Sequence, residues 1–116
     1  MRNTVSLNRN YLFLKVYQKG KKSYHRHFVL YVLPNKRSEN RLGLKVGKKL
    51  AKAVQRNRIR RLLKESYRLM ETELAVGYDI VIVARPDCLS ADTYKEVSDA
   101  LRSLMTKAGL LDPKKP

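Results

Sequence analysis

Residues 52–74 carry an amphipathic helical pattern between two apolar segments, and this arrangement limits the fold more than any other feature. Counting from Ile59, the side chains of Leu62, Leu63, Ser66, Met70 and Leu74 gather within about a third of a wheel of ~3.6 residues per turn. Asn57, Arg60, Arg61, Lys64 and Arg68 gather on the opposite side, and Gly77 ends the helix. Before it, residues 41–47 (RLGLKVG) alternate, with Leu42, Leu44 and Val46 facing a core and Gly43, Lys45 and Gly47 facing outward. After it, residues 78–84 (YDIVIVA) read as a buried strand. A helix between two such strands predicts a crossover joining parallel neighbours of one sheet.

The remaining elements follow from periodicity and breakers. Residues 8–18 predict a helix stopped by Gly20, with Leu7, Tyr11 and Leu14 on one face and Phe13 and Tyr17 on another. A short helix apolar on two faces is either deeply buried or shows one face to a ligand. Residues 24–33 predict a long strand ended by Pro34, forming a hairpin with 41–47 across the polar turn 34–40. A short extra strand fits between 34 and 50. Ser90 or Asp92 is positioned to cap a last helix reaching Lys107, and about 111–116 reads as a flexible tail. The order α-β-β-α-β-α makes one α+β domain over residues 1–116, a mixed sheet with helices packed mainly on one face.

Charge narrows the partner. The chain of 116 residues has a formal net charge of +16, and its distribution is lopsided. Residues 1–68 hold 20 basic side chains against Glu39 and Glu65 alone, while 69–116 hold six basic and eight acidic ones. Such self-repulsion opposes a compact monomer and points to a polyanion, nucleic acid ahead of an anionic membrane surface. Cys88 is the single cysteine, so neither an intrachain disulfide nor a CxxC metal site can form, which suits a cytoplasmic protein. No apolar run approaches the ~18–20 residues of a membrane span, and the N-terminus lacks the apolar core of a signal peptide.

No catalytic constellation is legible. His25 and His27 share a strand face, with Glu39 the nearest acid in sequence, and read as solvent-exposed. GLKVGKK is one residue short of a phosphate loop, and no Ser or Thr follows Lys48. The acids form no metal-binding pattern.

Two features do carry chemistry. A solvated helix face normally mixes charge signs, but Arg60, Arg61, Lys64 and Arg68 share one sign with only Glu65 near. Arg60–Lys64 and Lys64–Arg68 repel by a few tenths of a kcal/mol each, an arrangement that phosphates would neutralise. Lys48, Lys49 and Lys52 lead into this helix, and an Arg56 in its first turn would add free backbone N–H groups as an anion site. The second feature is the set Phe13, Tyr17 and Tyr31. It reads equally as core or as a groove on which unpaired bases stack. Gly43 and Gly47 would let another backbone approach the sheet, or serve turns.

The segment RLGLKVGKKLAKAVQRNRIRRLLKE, Arg41 to Glu65, resembles the strand, basic turn and arginine–asparagine–arginine helix of the bacterial ribonuclease P protein family. FLKVYQKG, HFVLY and GYDIVIVAR resemble that family's first helix, first strand and later strand, so the likeness spans about residues 7–107. The resemblance implies an α-β-β-β-α-β-α order with a left-handed βαβ crossover. It implies a cytoplasmic ribonucleoprotein that removes the 5′ leader from precursor tRNA, with the chemistry and Mg²⁺ held by a large RNA subunit and no further protein partner required. By position it places Phe13, Tyr17, Tyr31 and Lys45 in a leader-binding cleft. It places Lys48, Lys49, Lys52, Arg56, Asn57, Arg58, Arg60, Arg61, Lys64 and Arg68 against RNA. A ribosomal protein shares the size and charge but predicts no leader preference; a DNA-binding protein would favour a helix-turn-helix pair over this sheet.

Overall fold

A computed structural model describes residues 3–50, 52–90 and 93–111. Five strands, β1 (Thr4–Ser6), β2 (Lys21–Tyr24), β3 (Phe28–Pro34), β4 (Asn40–Lys45) and β5 (Tyr78–Ala84), form one mixed sheet in the order β1-β4-β5-β3-β2. Three helices accompany it, α1 (Asn10–Lys19), α2 (Ala53–Met70) and α3 (Tyr94–Lys107). The single α+β domain and its mixed sheet are as expected. β4 and β5 are parallel neighbours joined through α2.

The pairing of β3 differs from expectation. It does not form a hairpin with β4; β5 lies between them, antiparallel to β3 and parallel to β4. β5 is apolar on both faces, and the centre of a sheet is where such a strand is shielded on both sides. The turn 34–40 therefore bridges over β5. A polar cluster pins it, in which Asn35 Nδ2 donates to Asp79 Oδ1 at 3.0 Å and Arg41 grips the same carboxylate through Nε at 2.7 Å and Nη2 at 2.8 Å.

The long strand expected over 24–33 is two strands. His25 N–H donates to Phe28 O at 2.9 Å, closing a turn, and His25 Nδ1 accepts from the His27 N–H at 3.1 Å. A side chain thus does the work usually left to glycine or proline. β2 and β1 supply the extra strands; among the described residues no additional strand forms between 34 and 40 or between Lys45 and residue 50.

The sheet has two unlike faces. On one, Phe28, Leu30, Val32, Leu42, Ile80 and Ile82 pack against α2 and α3 in a core that includes Ile59, Leu63, Tyr67, Met70, Leu101 and Leu104. On the other, α1 rests on Leu7 and Val81 through Val16, which has no exposed surface. Within α1 the buried side is Leu12, Phe13, Val16 and Tyr17. Tyr11 and Leu14, expected to share a buried face with Leu7, point to solvent at 66% and 56% exposure.

Three ends also differ. α2 stops at Met70 and passes into a 3-10 turn at Glu71–Glu73, leaving Leu74 to bridge Leu111. Leu111 is buried, and the rest of the expected tail, 112–116, lies outside the described residues. Thr93 caps α3 by accepting from the Glu96 N–H at 3.2 Å. Ser90 lies earlier, in a 3-10 turn, and Asp92 lies outside the described residues.

Candidate nucleic-acid interface

α1 covers only part of its sheet face, and the registers show which part. Gly43, Val81, Tyr31 and Lys22 form one row across β4, β5, β3 and β2. Lys45, Val83, Val29 and Tyr24 form the next. α1 sits over the first row. A Cβ at Gly43 would stand 2.6 Å from Phe13 Cζ, so glycine there admits an aromatic ring rather than another backbone. In the second row Lys45 and Tyr24 are exposed and Val83 and Val29 half-buried, leaving an apolar shelf beside the helix.

The three aromatic residues singled out in the sequence meet at this junction. Tyr17 and Tyr31 pack edge to face with centroids 4.9 Å apart, and Phe13 lies 6.3 Å from Tyr17. All three are half-buried, with one side in the core and one toward the cleft. Burial raises the Tyr17 phenol above its ordinary pKa, and Tyr31 beside it adds to the effect. Lys45 Nζ stands 5.2 Å from the Phe13 centroid and Lys22 Nζ 5.5 Å from that of Tyr31, within cation–π range. Sequence reasoning missed Lys22, because its place opposite Tyr31 requires the unforeseen β2.

α2 presents the second surface. Ile59, Leu63, Ser66, Tyr67 and Met70 are buried, so the cationic side faces out. Tyr67, unforeseen as core, hides its hydroxyl beside Thr4 Oγ1 at 2.9 Å. Leu62, expected in the core, is half-buried and lines a groove of ≈ 540 Å³ with Arg58, Arg61, Lys64, Glu65 and Arg68. Among the described residues no carboxylate lies within ion-pair distance of Arg60, Arg61 or Lys64. Arg68 differs, since its Nε donates to Glu65 Oε2 at 3.2 Å and the pair holds its pKa up. Asn57 Oδ1 accepts from Arg60 Nη1 at 3.3 Å, and Arg60 Nη2 reaches Val46 O at 3.5 Å. Asn57 thereby steers Arg60 toward the sheet. The Arg56 N–H is spent on Lys52 O at 2.9 Å and is not a free anion donor. Lys48, Lys49 and Lys52 are exposed at the helix entrance.

The two surfaces meet at the edge of β4. Phe13 and Arg60 line a common groove of ≈ 630 Å³ together with Leu7, Leu44 and Lys64. It continues past Lys45 to Lys48.

The other sequence candidates lie elsewhere. His25 and His27 rings stand 5.2 Å apart at the β2–β3 turn. The His27 side chain is only 12% exposed, contrary to expectation, and its Nδ1 is 3.1 Å from Asp87 O. Burial first, then the nearby His27, Lys107 and Arg26, depress the His25 pKa. Cys88 is buried and its thiol pKa raised by that burial. Among the described residues no three His, Cys, Asp or Glu side chains cluster as a metal site, and no helix is long and apolar enough to cross a membrane.

This mixed sheet, with an arginine-faced crossover helix beside an aromatic cleft, defines a single α+β domain with a strongly cationic face. Residues 1–109 match the family model described as Ribonuclease P. The chain is 40% identical to the ribonuclease P protein component of Alkaliphilus metalliredigens, over 96% of this chain and 99% of that one. It is 44% identical to that of Clostridium botulinum strain Loch Maree, over 90% and 94%. The solved structure of the Staphylococcus aureus RNase P protein superposes with a TM-score of 0.85 at 30% identity, covering 92% of this chain and 97% of that one. The chain belongs to the ribonuclease P protein family, a family of tRNA-processing ribonucleoprotein nucleases.

Proposed function

We propose that this chain binds a catalytic RNA and the 5′ leader of precursor tRNA, and supports endonucleolytic removal of that leader. The observation that carries the reading is the junction at β4. A cleft suited to unpaired bases and a helix suited to phosphates share one groove, with Arg60 at the join. Phe13, Tyr17 and Tyr31 offer stacking edges and faces to the single-stranded leader, with Lys45 and Lys22 beside them for its phosphates. Arg58, Arg61, Lys64 and Arg68, with Lys48, Lys49, Lys52 and Arg56, meet the folded RNA. Only the precursor carries a leader, so this contact favours precursor over product.

The cleavage chemistry belongs to the RNA in this reading, with Mg²⁺ supplied by the assembly. The groove's own side chains fit Mg²⁺ poorly: Thr4, Ser6, Asn8 and Asn10 offer only neutral oxygens, no carboxylate lines it, and Arg60, Lys64, Lys45 and Lys48 are cations that repel the ion. Their role is to neutralise phosphates crowded near such a site. The test is cleavage of a 5′-extended tRNA by a ribonuclease P RNA at low Mg²⁺, with and without this protein. A rate gain on adding protein is expected; equal rates would refute the reading.

A further inference from the structure

The edge of β4 is closed by β1 only as far as Leu42. Thr4–Ser6 pair with Asn40–Leu42, and the Leu7 N–H donates to Leu42 O at 2.9 Å before the chain leaves for α1. Alternate residues of a strand direct both backbone groups to one side. Asn40, whose N–H donates to Asn3 O at 2.7 Å, and Leu42 mark the side facing β1. Leu44 is the next in that series. Its N–H and C=O therefore face the groove, past the point where β1 ends, and no backbone bond closes them among the described residues.

The surroundings are specific. Leu7, Leu42 and Phe13 form apolar walls, and Arg60 and Lys64 stand on the α2 side. The groove's ≈ 630 Å³ is ample for one nucleotide, within the ~300–1,000 Å³ of small-molecule sites.

We propose that this groove is a slot for a single unstacked nucleotide, whose base edge pairs with the backbone N–H and C=O of Leu44. The base lies against Phe13 and the leucines, and its phosphate meets Arg60 and Lys64. A nucleobase edge sets an acceptor beside a donor, as adenine does with N1 and N6, and this complements one N–H and one C=O. An extended peptide is the other ligand an open edge attracts, but strand addition needs a ladder of residues. The open stretch is short here: the next residue in the series, Val46, already has its O engaged by Arg60 at 3.5 Å. The cationic rim also selects a phosphodiester over a neutral strand. The slot rests on the RNA-binding reading above and adds a base-reading element to it.

The test is an amide-resolved NMR titration of the full chain with AMP, ribose 5-phosphate and an uncharged extended peptide. AMP is expected to shift the Leu44 amide and slow its hydrogen exchange about tenfold, while ribose 5-phosphate moves the Arg60 Nε signal alone. Arg60→Gln should weaken AMP binding yet leave the Leu44 shift at saturation. Equal Leu44 shifts with AMP and ribose 5-phosphate would reduce the site to a phosphate contact and overturn the proposal. So would no Leu44 response up to about 10 mM AMP, the range of a weakly held nucleotide, or protection by the peptide alone. Precursor discrimination, measured on the same preparation with its RNA, separates the two readings. If discrimination persists while Leu44 stays silent, the slot fails and the leader-binding function stands.

Discussion

The two faces of the sheet are built from the same strands and put to different uses. Phe28, Leu30 and Val32 of β3 are sealed under α2 and α3, while Val29, Tyr31 and Leu33, one residue out of phase, are only half-buried beside α1. One face gains its full hydrophobic stabilisation. The other gives up part of it and keeps an apolar shelf with aromatic edges. Period-2 alternation is what allows a single strand to serve both purposes.

The largest expected effect lies on the sealed face. Leu63→Ala removes a side chain with no exposed surface and should cost about 2–5 kcal/mol in urea unfolding. Tyr31→Ala should cost clearly less, since its ring is only partly buried. Equal losses would mean that the cleft is core in disguise. Next comes the contact between α1 and the sheet. Gly43→Val would press a Cβ against Phe13 and should cost about 1–3 kcal/mol. Adding Phe13→Leu should recover part of that loss, a coupling that a double-mutant cycle would read.

Charge effects should leave stability alone and change RNA affinity. Arg60→Gln with Lys64→Gln should flatten the log–log salt dependence of RNA binding by roughly 1.4–1.8 if both side chains meet phosphates. Asn57→Ala should cost about 0.5–1.5 kcal/mol of binding by releasing Arg60, and nothing further in an Arg60→Gln background. The smallest effect concerns pH. The folded state depresses the His25 pKa, so the unfolded chain takes up its proton first. Stability is therefore fully present above the ordinary histidine value of about 6.5 and falls as pH drops below it. His25→Asn should reduce that fall in melting temperature between pH 7.5 and 5.5.

Strongly periodic segments were legible in the sequence. The crossover helix, the parallel relation of β4 and β5 and the one-signed face of α2 all follow from side-chain spacing. The aromatic trio was ambiguous between core and cleft for a physical reason: each ring is partly both. Sheet order was not legible, because a polar turn between two apolar runs looks the same whether the strands pair or straddle a third. The β2–β3 turn was hidden because the His25 imidazole, not glycine or proline, supports it. The open backbone at Leu44 has no sequence signal at all, since it depends on where β1 stops.

The most direct measurement is the affinity of the assembled ribonucleoprotein for precursor tRNA relative to mature tRNA, with Tyr31→Ala set against Arg61→Gln. Tyr31 stands in the cleft, and Arg61 lines the separate groove on α2. Tyr31→Ala should bring the precursor-to-mature ratio toward one at unchanged net charge, whereas Arg61→Gln should weaken both complexes and leave the ratio intact. A ratio untouched by Tyr31→Ala, or lowered equally by both, would contradict a division of labour between cleft and helix.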